Sequence, residues 1–121
     1  MSSQGYRDLL VWQKAMDLVT EVYKIVKMLP KEETYALSDQ MRRAAVSVPS
    51  NISEGQARRS NKEFANFLSI SRGSLAELET QILICIRLNY IKTSDAETAQ
   101  NHVKEVARML NVLITKLTTD N

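Results

Sequence analysis

The chain has 121 residues, of which 44% are hydrophobic and 25% charged, with a formal charge of +2; it is too short for two cores and too apolar for the disordered class. Its three glycines and two prolines are too few for the tight reversals of an all-β domain, whereas helices fit that scarcity. The opening MSSQGYRDLL lacks a secretory pattern, no apolar run reaches transmembrane length, and lone Cys85 has no second thiol for a disulfide or metal site, so one domain over 1–121 in a reducing cytoplasm is expected.

In the first segment Val11, Ala15, Leu18, Val22, Ile25 and Leu29 recur at alternating steps of four and three, the spacing that stacks side chains on one helix face. The pattern predicts a helix near 9–29, capped by Asp8 and closed before Pro30. A second row, Trp12, Met16, Val19, Tyr23 and Val26, widens the apolar face beyond what one neighbouring helix covers, and part of it is expected to face another subunit.

The second helix is expected near 38–57, with Ser38 as its N-cap and Met41, Ala44, Ala45 and Val48 on its apolar face. Pro49 removes a backbone donor, so a kink or break is expected there; Asn51 and Glu54 have the offset of a capping pair that would restart the helix, and Gly55 weakens it. The run SVPSNISEG is the most unusual local feature of the chain. It reads as a kinked, tightly packed helix whose serines and Asn51 can also donate hydrogen bonds.

Ser60 with Glu63 forms a capping box ahead of Phe64, Leu68, Ser71, Leu75, Leu78, Ile82 and Cys85, predicting the longest helix near 61–90. Gly73 lies inside it at a cost of about 1 kcal/mol relative to alanine, and close approach by another backbone is the expected compensation. Ser94 with Glu97 repeats the capping box before Ala99, Val103, Val106, Leu110, Leu113 and Leu117, placing the last helix near 95–118. Short connections favour antiparallel neighbours, so the expected fold is an all-α, up-down-up-down four-helix bundle with the second helix kinked at Pro49.

Catalytic constellations are missing from this pattern. A di-metal bundle needs a Glu-x-x-His pair on each of two helices, but His102 is the sole histidine and Ala99 stands three residues before it. The positions where a helical ribonuclease would carry its arginine hold Asp95, Ala96 and Glu97. Cys85 falls on an apolar stripe with no base beside it, Glu77 and Glu79 point in different directions, and no glycine-rich phosphate loop occurs. The reading is a non-enzyme without metal or cofactor.

Charge is concentrated in the middle. Residues 38–74 hold Arg42, Arg43, Arg58, Arg59, Lys62 and Arg72 against Asp39, Glu54 and Glu63, a net of +3, while the remainder carries −1. Arginine's planar fork suits phosphate, so these six residues form the candidate nucleic-acid-binding patch for RNA or DNA. The alternative is a protein scaffold or accessory subunit in which the same cations are solvated or paired with the three carboxylates.

The segments DLLVWQKAMDLV at 8–19, QMRRAAVSVPSNISEG at 40–55 and EFANFLSISRGSLAELETQ at 63–81 resemble the four-helix-bundle family encoded by intervening sequences in bacterial 23S ribosomal RNA genes, also labelled S23 ribosomal protein. The family is similar to the accessory variability protein of diversity-generating retroelements, a basic homopentamer that binds nucleic acid and a reverse transcriptase. By this resemblance a homopentamer, a nucleic-acid partner and a protein partner such as a reverse transcriptase are implied. Arg42 and Arg43 match the family's RRAA element; Pro49, Asn51, Glu54 and Gly55 match SxPxNIxEG; Arg72 and Gly73 match RGS. Ser53 and Ser71 stand where many relatives have alanine, and a charge of only +2 favours the generic family over its retroelement branch.

Overall fold

A computed structural model describes residues 5–119 and places them in four α-helices: α1 (Leu10–Val26), α2 (Leu37–Gln56), α3 (Asn61–Arg87) and α4 (Thr93–Thr118). Short 3-10 turns at Gly5–Asp8 and Lys31–Glu33 precede α1 and α2. Helices α1 and α2, α2 and α3, α3 and α4, and α4 and α1 pack as neighbours, which closes a four-cornered bundle. Cross-helix contacts give the directions: Met41 meets Cys85, Ser47 meets Ser74, and Gly55 meets Phe64 and Phe67, so α3 descends as α2 rises.

The four-three rows lie inside. Leu18, Val22, Val48, Ile52, Leu68, Leu78, Ile82, Val106 and Leu110 are fully buried, and burial of such a side chain is worth about 1.5–3 kcal/mol relative to exposure. Phe64, Leu113 and Leu117 pack against this core from its edge. Among the described residues no helix is long and apolar enough to cross a membrane.

Several local expectations need correction. Leu9, not Asp8, stands at the α1 cap position, and the side chain of Asp8 lies outside what the structure describes. Ser38 does not cap α2: the helix begins a residue earlier, and Glu33 reaches forward so that its carboxylate accepts from the free amide of Leu37 at 3.3 Å. The same carboxylate accepts from the Tyr90 hydroxyl at 2.7 Å, which ties the start of α2 to the α3–α4 connection and keeps the Tyr90 phenol protonated to higher pH than usual. Helix α4 starts at Thr93, ahead of the Ser94–Glu97 pair, and the Asp95 carboxylate accepts from the Lys92 amide at 2.8 Å. Ser60 does cap α3, accepting from the Glu63 amide at 3.1 Å while its hydroxyl donates to the Glu63 carboxylate.

Pro49 is buried within α2, which runs past it without the break that was one of the expected outcomes. No restart is needed, so Asn51 and Glu54 are not a cap: the Asn51 amide donates to the Ser47 carbonyl and hydroxyl, each at 2.9 Å, and Glu54 pairs with Arg58. The two helix glycines exchange the roles expected of them. A Cβ on Gly55 would stand 2.7 Å from Phe67 Cβ and 3.2 Å from the Phe64 carbonyl, whereas one on Gly73 would meet nothing within 4 Å.

Candidate nucleic-acid interface

The six cations of the middle segment divide by position on α2 and α3. Arg42 and Arg43 stand in the second turn of α2, and Arg58 and Arg59 just past its last residue, so even the nearer members, Arg43 and Arg58, are about 22 Å apart along the helix axis. Arg42 is half-buried and donates to the Thr34 carbonyl at 3.1 Å, with Asp39 at 3.9 Å; Arg43 holds the same Asp39 at 3.1 Å. One carboxylate thus serves two guanidiniums, one of which ties down the loop ahead of α2. At the other end Arg58 pairs with Glu54 at 3.0 Å and lies 4.8 Å above the Phe67 ring.

Arg59 and Lys62 are exposed in the connection and first turn of α3, and neither has a hydrogen bond or ion pair among the described residues. Arg72 lies farther along α3 and donates to Asn111 Oδ1 on α4 at 2.9 Å, a neutral acceptor that leaves its charge uncompensated. Arg58, Arg59 and Lys62 therefore fall together at the α2–α3 connection, while Arg42 with Arg43, and Arg72, stand farther along α2 and α3. Exposed ion pairs are worth only about 0–1 kcal/mol, so Arg43 and Arg58 could exchange their carboxylates for phosphate at small cost.

The N-terminal turn adds a cation that charge counting over 38–74 left out. Arg7 is exposed on the 3-10 turn that packs against α2, and a Cβ on neighbouring Gly5 would stand 3.6 Å from Gln56 Oε1, so this turn sits at the Arg58 end of the bundle. Only the fold joins residue 7 to residue 58.

The hydroxyl contacts between α2 and α3 are internal. The Ser47 and Ser74 hydroxyls meet at 2.9 Å, and Ser71 donates to the Val48 carbonyl at 2.8 Å. In SVPSNISEG, Val48, Pro49, Ile52 and Gly55 are buried, Ser47 and Asn51 are half-buried and Ser50 is exposed, so the segment packs on one side and keeps Ser50 at the surface. Pro49 and Gly55 are buried in it, Glu54 is at its surface, and Gly73 is on the exposed side of α3.

Cys85 is buried with its thiol 3.5 Å from Met41 Sδ. Burial, and secondarily the charge of Glu33, push the thiol from an ordinary 9.0 up to about 11, so thiolate is scarce near neutral pH. His102 is half-buried on α4 in a shallow hollow with Asn101, Lys104, Glu105 and Arg108. Glu77 and Glu79 are exposed, and Glu77 accepts from Gln81 at 3.3 Å. Among the described residues no three His, Cys, Asp or Glu side chains are grouped to hold a metal ion.

The family described as 23S rRNA-intervening sequence protein matches this sequence over residues 7–112. The fold is similar to the crystal structure of a protein with unknown function from the S23 ribosomal protein family of Bacteroides thetaiotaomicron, with a TM-score of 0.80 and 26% identity over 87% of this chain and 98% of that chain. No curated protein matches the chain.

Proposed function

We propose, from the premise that this chain belongs to the 23S rRNA-intervening sequence protein family, that it is a non-enzymatic, self-associating cytoplasmic helical bundle that binds structured RNA or DNA through the α2–α3 connection. The observation that carries this reading is the pair Arg59 and Lys62, exposed and without a carboxylate partner among the described residues, beside Arg58. An unpaired cation in water gains by displacing condensed counterions from phosphate. The N-terminal end of α3 adds its own favourable field for an anion in the same place. Arg7, Arg43 and Arg72 would extend the contact, and Arg42, committed to the Thr34 carbonyl, would contribute least.

In a closed homo-oligomer, a pentamer by the resemblance, the cluster recurs once per subunit, and the summed field compensates for a chain charge of only +2. The test is fluorescence anisotropy with a structured ribosomal RNA fragment and with duplex DNA across a salt series. Joint Arg59→Ala and Lys62→Ala substitution is expected to weaken binding and lower the salt slope by roughly two for duplex DNA. Absence of binding at low salt, or a slope unmoved by the substitutions, rejects the reading.

The scaffold reading keeps one observation of its own: Met16, Tyr23 and Val46 are exposed along α1 and α2. It predicts assembly or capture of a protein partner, such as a reverse transcriptase, with no nucleic acid retained.

A further inference from the structure

A different face of the bundle carries a second set of unpaired cations. Where α1 packs against α4, a groove of about 350 Å³ is lined by Leu10, Met109, Val112 and Leu113 with Arg108 and Lys116 on its α4 side. Leu10 is 55% and Val112 65% exposed. Arg108, Val112 and Lys116 are four residues apart in turn, so one ridge of α4 presents cation, apolar side chain, cation over about 12 Å. Neither cation has a hydrogen bond or ion pair among the described residues, and nearby Glu105 is taken by Lys14 at 3.6 Å.

The arrangement selects among occupants. Phosphate would satisfy the two cations and leave Leu10 and Val112 facing a polyanion with nothing apolar to bury them. A lipid surface would reach only the exposed Leu10 and Val112, whereas the half-buried Met109 and Leu113 that also line the hollow between the two helices are reached by side chains of a third. A third helix fits when it carries two adjacent apolar residues flanked by carboxylates about two turns apart, that is, acidic at i and i+7 and apolar at i+3 and i+4. Among the described helices no two acidic residues lie seven positions apart, and the pair eight apart, Glu97 and Glu105, has Gln100 and Asn101 at the apolar positions and Glu105 held by Lys14, so a second copy does not supply that pattern.

We propose that the α1–α4 groove docks an acidic amphipathic helix of a partner protein, its apolar pair entering beside Leu10 and Val112 and its carboxylates meeting Arg108 and Lys116. The site lies on a different helix pair from the α2–α3 connection, and it stands or falls separately from nucleic-acid binding. Charge complementarity of this kind fixes orientation and selects partners.

The probe is a synthetic, fluorophore-labelled helical peptide with leucines at i+3 and i+4 and glutamates at i and i+7, titrated with the full chain. Saturable binding is expected, weakened at least tenfold by joint Arg108→Glu and Lys116→Glu, and at least tenfold by Val112→Asp. Exchanging the peptide glutamates for lysines should abolish binding to the natural chain and restore it to the doubly reversed protein. All three altered residues are exposed, and an unchanged helical circular dichroism spectrum verifies that the variants fold. No binding of the glutamate peptide, binding indifferent to the charge reversals, or failure of the swapped pair to recover overturns the proposal. So does Val112→Asp reducing the oligomer's mass, which makes the occupant a second copy, or loss of anionic-vesicle binding on the same substitutions, which makes it a membrane.

Discussion

Two glycines in neighbouring helices have opposite relations to their surroundings, and alanine at each separates packing from propensity. Alanine is favoured over glycine in a helix by about 0.8–1.0 kcal/mol. At Gly73 a Cβ meets nothing within 4 Å, so Gly73→Ala should stabilise the fold by about 0.5–1 kcal/mol. At Gly55 a Cβ would stand 2.7 Å from Phe67 Cβ and 3.2 Å from a backbone oxygen, atoms that cannot swing aside as the end of a flexible side chain would. Overpacking of that kind costs about 1–3 kcal/mol and offsets the propensity gain, so Gly55→Ala should lower stability by up to about 2 kcal/mol. Urea unfolding of the two variants decides the matter: midpoints that move in the same direction would refute the assignment of the α2–α3 contact to Gly55. The sequence places both glycines inside helices, but which one meets a neighbouring helix depends on crossing points that no local pattern carries.

Helix identity was legible because the four-three rows are a local consequence of helix geometry; helix ends were less so because caps depend on which free amides a side chain can reach. Ser60 and Glu63 cap α3 through contacts three residues apart, entirely within sequence view. Ser94 and Glu97 have the same offset, yet α4 begins before them, and Asp95 takes the Lys92 amide instead. Ser38 fails for a longer-range reason, since Glu33 covers the first amide of α2 from a preceding turn that Tyr90, on a distant part of the chain, helps to hold. Removing an end contact of this type costs typically about 1 kcal/mol, and a carboxylate there also gains from the helix field. Asp95→Ala should therefore lower stability by about 1 kcal/mol, while Ser94→Ala should stay within about 0.5 kcal/mol of the parent, as exposed positions away from caps do. Thermal melts of the two variants compare them directly; equal losses would restore the Ser94 cap.

At the scale of the molecule, counting charges along the chain identified the basic middle but not its arrangement, because the axial separation of Arg43 from Arg58 and the turn of Arg72 toward Asn111 are set by helix length and face. The apolar surface is likewise divided by the fold. The second row of α1 was legible as surplus, and the bundle leaves part of it uncovered: Met16 and Val46 are each 42% exposed and line one hollow with Tyr6, Trp12, Val19 and Pro49. A continuous apolar surface on an otherwise charged molecule is a candidate subunit contact, and it lies along α1 and α2, away from the groove beside Arg108 and Lys116. If α1 and α2 form the subunit contact, joint Met16→Glu and Val46→Glu substitution places carboxylates in a desolvated interface, where an unpaired charge is strongly unfavourable, while in the free monomer both side chains remain in water. Light scattering should then report an oligomer for the natural chain and a monomer of unchanged helicity for the double variant, with Arg59→Ala and Lys62→Ala leaving the mass unaltered. A natural chain that is monomeric at tens of micromolar would remove self-association from the proposed function and leave the α2–α3 cluster to act alone. A double variant that keeps the oligomer's mass would instead move the subunit contact to another exposed apolar surface, either Leu83 and Ile84 of α3 with Leu88 just past its end, or Leu10 and Val112 beside the α1–α4 groove.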